Sequence, residues 1–187
     1  MEKRQLGHSD LDSTPIGFGA WAIGGSGWEY GWGTQDDQES IAAIHRALEM
    51  GVNWIDTAAI YGLGHSENVV ARALDAWSGA RPYVFTKGGL RGDAQGRTHK
   101  TLTADFIRRD CEGSLRRLKV ETIDVYQIHW PPENNSTELE EGWATLAELK
   151  REGNVRWMWA GRSQTGYLAP VGAAPCPESF RAMERTR

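Results

Sequence analysis

The 187-residue sequence predicts an α/β fold in which helices pack on a parallel sheet. Strand-like and helix-like segments alternate with a repeat of roughly thirty to forty residues, the size of a βαβ unit. The strand-like runs, Val52-Asn53-Trp54-Ile55, Tyr83-Val-Phe-Thr86 and Ile123-Asp-Val-Tyr-Gln-Ile128, are short and largely apolar, as buried strands are. Each helix-like segment carries one apolar face. The order of elements does not by itself separate an open sheet from a closed barrel.

Taken in order, residues 2–7 and 11–16 flank Gly7-His8-Ser9-Asp10 and predict a hairpin. Residues 16–20 form a first core strand. Gly17-Phe-Gly19-Ala-Trp-Ala22 fits a loose dinucleotide fingerprint, but that motif needs a helix to open at once. Gly24, Gly25, Gly27, Gly31 and Gly33 follow instead and describe a loop, which excludes a Rossmann reading. Residues 36–50 predict a helix with Ile41, Ile44, Ala47 and Leu48 inward and Gly51 as its stop. A strand over 53–56 leads through Asp56-Thr-Ala-Ala-Ile-Tyr61 and a Gly-rich turn into a helix over 66–77, with Ser66 as its cap. A strand at 83–86, a polar loop at 91–100 and a helix at 103–118 come next, the helix burying Phe106, Ile107, Cys111, Leu115 and Leu118. The strand at 123–128 ends at His129-Trp130-Pro131-Pro132. A helix from Thr137 to Gly153 follows, and a fifth strand begins at Val155-Arg-Trp157.

Composition narrows the function. Apolar content of 40% and charged content of 25% are those of an ordinary globular domain with a substantial core. A net charge of −4 without a basic stripe argues against general nucleic-acid binding. No apolar run is long enough to span a bilayer, and residues 1–6 lack the apolar centre of a signal peptide. Cys111 and Cys176 have no metal-ligand spacing and fit a reducing cytoplasm, the expected location. Nine tryptophans are many for this length, and several fall beside the candidate site.

Asp56, Lys87 and His129 each close a predicted strand, and Tyr61 lies on the loop just beyond one. In a parallel sheet all strand C-termini lie on one edge, so these four side chains can converge. Together they suit proton transfer. An ammonium beside the Tyr61 phenol would favour the phenolate and lower a pKa that is ordinarily about 10. Asp56 would hold Lys87 charged and oriented. His129 could hydrogen-bond a substrate carbonyl or relay the proton. Such a site polarises a carbonyl and protonates it while a cofactor supplies hydride. Taken singly, Asp56 could be a helix cap, Lys87 a solvated loop lysine, and the two together a structural ion pair.

The chain also resembles a known family. The opening hairpin, Gly17-Phe-Gly-Ala-Trp21, Gly51-Val-Asn-Trp-Ile-Asp-Thr-Ala-Ala-Ile-Tyr-Gly62, Ser66-Glu67, Thr86-Lys87, Ser114-Leu-Arg-Arg-Leu118, Asp124-Val-Tyr-Gln-Ile-His129 and Gly153-Asn-Val-Arg-Trp157 are similar to the N-terminal part of an aldo-keto reductase. That is a TIM-barrel family reducing aldehydes and ketones with NADPH. The turn after Tyr61 is most similar to the bacterial branch related to potassium-channel β subunits. The resemblance implies an N-terminal hairpin and about the first five βα units of a (β/α)8 barrel over residues 1–157. It implies Tyr61 as proton donor, Lys87 and Asp56 tuning it, and His129 orienting a small carbonyl substrate. It places Gly19, Ala20, Trp21 and Asp56 near the nicotinamide ribose of NADPH.

Past Trp157 the resemblance stops. Met-Trp-Ala-Gly-Arg-Ser-Gln replaces a Gly-Val-Ser-Asn-like segment, and residues 158–187 are rich in Gly, Pro and Ala without sustained period. A truncated or frame-shifted end and a disordered tail are the expectation. The competing reading is an inactive fragment, or a partner-binding half-barrel unable to hold NADPH. A metal hydrolase on the same scaffold is disfavoured, since His8, His45, His65 and His99 fall on helices or loops away from the strand ends.

Overall fold

The structure, a computed structural model, describes residues 1–130, 136–160 and 167–169. Strands β1 (Arg4–Gln5) and β2 (Asp12–Ser13) pair as the expected hairpin. The parallel sheet then runs β3 (Phe18–Gly19), β4 (Trp54–Asp56), β5 (Tyr83–Gly88), with β6 (Leu90–Gly92) and β7 (Thr98–Lys100) forming a separate small hairpin, then β8 (Ile123–Ile128) and β9 (Val155–Ala160). The sheet order is β10-β9-β8-β5-β4-β3, with five strands parallel and β10 (Tyr167–Ala169) antiparallel at the edge beside β9. Helices α1 (Asp37–Glu49), α2 (His65–Asp75), α3 (Ala104–Leu118) and α4 (Ser136–Arg151) connect the parallel strands.

All four helices pack on one face of the sheet. Ile55, Val84, Tyr126, Ile128 and Met158 point to that face and meet Ile44, Leu48, Val70, Ile107, Leu118, Trp143 and Leu146 in the main core. The alternate residues Trp54, Phe85, Val125, Trp157 and Trp159 point the other way, where Leu6 and Leu11 of the opening hairpin pack against them. A doubly wound open sheet carries helices on both faces, whereas a barrel carries them only outside. The one-sided packing resolves the alternative left open by the element order: the chain folds as a sector of a (β/α)8 barrel, with the hairpin across its inner face.

Several elements differ from expectation. The first core strand is only Phe18–Gly19, and Ile16 is exposed. Before it the chain is held away from a ladder by Asn53, whose side chain accepts from the Thr14 N–H at 2.8 Å. The Trp54 indole also fills the space where a side chain at residue 17 would stand, so only glycine fits there. Ser66 does not cap α2. Its hydroxyl is buried, donating to the Ala20 carbonyl at 2.8 Å and lying 2.9 Å from the Thr57 hydroxyl. The helix starts one residue earlier, from Gly64 at φ 99°. The polar loop over 91–100 contains β6 and β7, whose turn is organised by the Asp93 carboxylate accepting from the Gln95 and Arg97 N–H groups. The fifth strand runs to Ala160, three residues past the expected boundary, and pairs with β10. The rest of the expected disordered tail, residues 161–166 and 170–187, lies outside the described residues. Among the described residues no helix is long and apolar enough to cross a membrane.

Candidate active site

Parallel alignment brings the strand ends together. Asp56 is the last residue of β4, Lys87 the penultimate residue of β5, and His129 follows β8 with its N–H donating to the Gly88 carbonyl at 2.9 Å. Tyr61 opens a 3-10 turn over Tyr61–Gly64. That turn is fixed by contact with the loop carrying Gly24. A side chain at residue 62 would strike the Gly24 carbonyl, and one at residue 24 would stand 2.7 Å from the Gly62 nitrogen. Gly62 and Leu63 both lie in the left-handed region, at φ 61° and 54°. For Leu63 that conformation is costly, by about 1 kcal/mol or more, and it is imposed beside the residue whose ring must be aimed.

The four residues converge. The Lys87 ammonium donates to Asp56 Oδ2 at 2.6 Å, to the Thr57 carbonyl at 2.9 Å and to Tyr61 Oη at 3.3 Å. The His129 ring stands edge-on to the Tyr61 ring, with centroids 5.5 Å apart at 79°. Asp56 uses its other oxygen, Oδ1, to accept from Gln127 Nε2 at 2.9 Å. Trp21 and Trp28 flank Tyr61 at 6.4 and 5.8 Å between centroids, and Trp130 adjoins His129 at 5.6 Å.

Electrostatics corrects one expectation. Burial pushes the Tyr61 phenol above its ordinary value of 10. Lys87 opposes that shift and Asp56 reinforces it, so the net direction is upward despite the adjacent ammonium. His129 moves the other way: burial, with Lys87 adding to it, lowers the imidazole to about 3. His129 is therefore neutral at any ordinary pH, and its Nδ1 is buried with no hydrogen-bond partner among the described residues.

The residues expected near a cofactor also gather here. Gly19 is in register with Asp56, and a side chain at residue 19 would meet only open space. Ala20 is fully buried, its N–H donating to the Asp56 carbonyl at 2.8 Å and its own carbonyl accepting from Ser66. Trp21 is partly exposed and packs against Trp32 at 5.2 Å. Two contributors were not singled out from sequence, Gln127 and the Thr57 carbonyl. Strand alternation offers a signal for Gln127, since it lies two residues before His129 on the same side of β8. The Thr57 contact is a backbone one and leaves no side-chain trace. Among the described residues no group of three or more His, Cys, Asp or Glu side chains is placed to hold a metal.

Comparison with known proteins follows the same lines. The profile described as Aldo/keto reductase family matches residues 15–158. An NADH-specific methylglyoxal reductase of Escherichia coli (strain K12) is 35% identical over 181 residues, covering 90% of this chain and 54% of that protein. A glycerol dehydrogenase of Gluconobacter oxydans aligns in structure with a TM-score of 0.75 at 37% identity, over 85% of this chain and 48% of that one. An aldo/keto reductase from Klebsiella pneumoniae, solved with NADP and acetate, aligns with a TM-score of 0.62 at 26% identity, over 94% of this chain and 51% of that one. The chain spans about half the length of these relatives.

Proposed function

This chain belongs to the aldo/keto reductase family, and we propose that its four converging residues form the proton-transfer site of a carbonyl reductase. The observation that carries this reading is the Lys87 ammonium, bonded at once to Asp56, the Thr57 carbonyl and the Tyr61 hydroxyl. Tyr61 donates its hydroxyl proton to the carbonyl oxygen of a small aldehyde or ketone, its O–H bond breaking as the alcohol O–H forms. A phenol with a raised pKa keeps that proton at neutral pH. The phenolate left behind is stabilised by the Lys87 ammonium, which Asp56 holds in place at 2.6 Å. Neutral His129 orients the carbonyl through a ring N–H; with Nδ1 enclosed, we assign that role to Nε2.

The residues present fit the nicotinamide end of a cofactor, because open space borders Gly19 beside the partly exposed Asp56 and Trp21. Bound NADPH, or NADH as in the E. coli relative, would supply hydride to the carbonyl carbon. Gly19, Trp21 and Asp56 would lie along it, with the Ala20 backbone shaping the wall beneath.

The second reading is a partner-binding half-barrel that cannot hold NADPH. One assay separates the two. The purified chain is titrated with NADPH and with NADH while tryptophan fluorescence is followed, and then given methylglyoxal, the substrate named for the E. coli relative. Saturable quenching with cofactor oxidation at 340 nm is the expected result. No quenching and no oxidation favours the half-barrel reading.

A further inference from the structure

We infer that Gln127 is a positioning residue that holds the Asp56 carboxylate and, through it, keeps the Lys87 ammonium within reach of Tyr61. This rests on the carbonyl-reductase reading above and extends the site by one residue on a different strand.

Gln127 occupies the inner face of β8, in register with Lys87 on one side and Trp159 on the other. Two residues earlier on the same face stands Val125, buried and apolar. Gln127 itself is half-buried and belongs to neither apolar cluster of the sheet. A half-buried amide is stabilising only where its polar atoms find partners, and Gln127 Nε2 finds Asp56 Oδ1 at 2.9 Å.

The bond matters because of how the Lys87 contacts are divided. Three acceptors share the ammonium, and the contact to Tyr61 is the longest at 3.3 Å, against 2.6 Å to Asp56 and 2.9 Å to Thr57. With Oδ1 held by Gln127, the carboxylate faces Lys87 through a single oxygen. Without that anchor the carboxylate is free to rotate, and the ammonium, a compact point charge, follows the oxygen it is paired with. Lys87 is then drawn toward β4 and its weakest contact, the one to the phenol, is lost first. The loss falls on the proton-transfer step and leaves the aromatic wall around the substrate unchanged.

The test compares the wild-type chain with Gln127→Met, similar in length but lacking the donor, and Gln127→His, which restores a ring N–H. The first readout needs no turnover: the 15N resonance and exchange protection of the Lys87 side chain by NMR. Gln127→Met should shift the resonance and reduce protection, and Gln127→His should return both toward wild type. The second readout is kinetic. Gln127→Met should lower kcat about ten- to a hundredfold with little change in the carbonyl KM. An unchanged Lys87 resonance in Gln127→Met overturns the inference, as does an unchanged kcat in an active enzyme. A wild-type chain without turnover overturns the reductase reading instead, and the Lys87 resonance alone then decides the role of Gln127. Should Gln127→Met fail to fold, the wild-type Gln127 side-chain amide decides: protection from exchange supports the bond to Asp56, and free exchange overturns it.

Discussion

The two ends of the parallel sheet each hold a carboxylate against cations, and they differ in what is left unused. At the N-terminal end Asp124 is almost fully buried and saturated. Oδ2 accepts from Arg81 and from the Val84 N–H, both at 2.8 Å, and Oδ1 accepts from Arg156 at 2.7 Å. Arg156 also reaches Asp10 in the opening hairpin, and the Trp157 indole joins it there at 2.7 Å, so this end closes the barrel sector. At the C-terminal end Asp56 and Lys87 are likewise paired, but the pair adjoins a phenol that keeps its proton and an imidazole with a nitrogen that has no partner among the described residues. A structural ion pair satisfies its atoms within the fold. The second pair leaves groups poised to act on something else, which argues against reading Asp56 and Lys87 as a purely structural bridge.

The sharpest way to break the comparison is to remove Asp124. Asp124→Ala leaves the buried Val84 N–H without its acceptor and releases two half-exposed arginines, and should cost about 1–3 kcal/mol of stability by urea unfolding. Activity should fall only in proportion to the folded fraction. A specific loss of turnover in folded protein would show that the two ends are not separate in function.

A second test lies behind the site. Asp110 on α3 is half-buried beside Glu67 of α2, Arg117 and Cys111 of α3, Tyr126 of β8 and the Gly89 N–H after β5. Burial, with the Glu67 carboxylate adding to it, raises Asp110 to about 7. The folded state thus keeps a proton that the unfolded chain releases near pH ~4. The stability this contributes is full below that pH and is lost as pH rises through about 7. The wild-type chain should therefore weaken between pH 5 and pH 8.5 by up to a few kcal/mol, and Asp110→Asn should flatten that slope. Parallel slopes in the two proteins would show that Asp110 titrates normally.

The smallest expected effect is at His129. With the imidazole lowered to about 3, the rate of carbonyl reduction should show no acidic limb from this ring between pH 5 and pH 8. An acid limb near pH ~6.5 that disappears in His129→Gln would mean the ring is solvated and titrates as a free histidine does.

Much of this was legible in the sequence, because it rests on local pattern. Alternation of apolar strands and one-faced helices gave the parallel sheet, and a parallel sheet alone places Asp56, Lys87 and His129 on one edge. What was not legible depends on distant partners. Ser66 has the sequence of a cap, yet its hydroxyl bonds Ala20, forty-six residues away. The β6–β7 hairpin has no apolar alternation and is held from outside, where Glu29 accepts from the Thr98 N–H at 2.6 Å. The lysine lowers the phenol as its position in the sequence implies, but burial, which the sequence does not display, outweighs it and sets the net direction upward. Gln127 is not legible as a site residue, because an amide within an apolar strand gains its purpose only from Asp56, seventy-one residues earlier.

The central claim, that this edge of the sheet is a proton-donating site with Tyr61 as its acid, is tested most directly by Tyr61→Phe. The substitution keeps the ring between Trp21 and Trp28 and removes only the hydroxyl facing Lys87. Reduction of methylglyoxal is measured at saturating cofactor, with urea unfolding as the control for folding. The expected result is a fall in kcat of about 10²–10⁴-fold with stability changed by less than about 1 kcal/mol. Turnover near wild type in a folded Tyr61→Phe protein would contradict the account and assign the proton to another group.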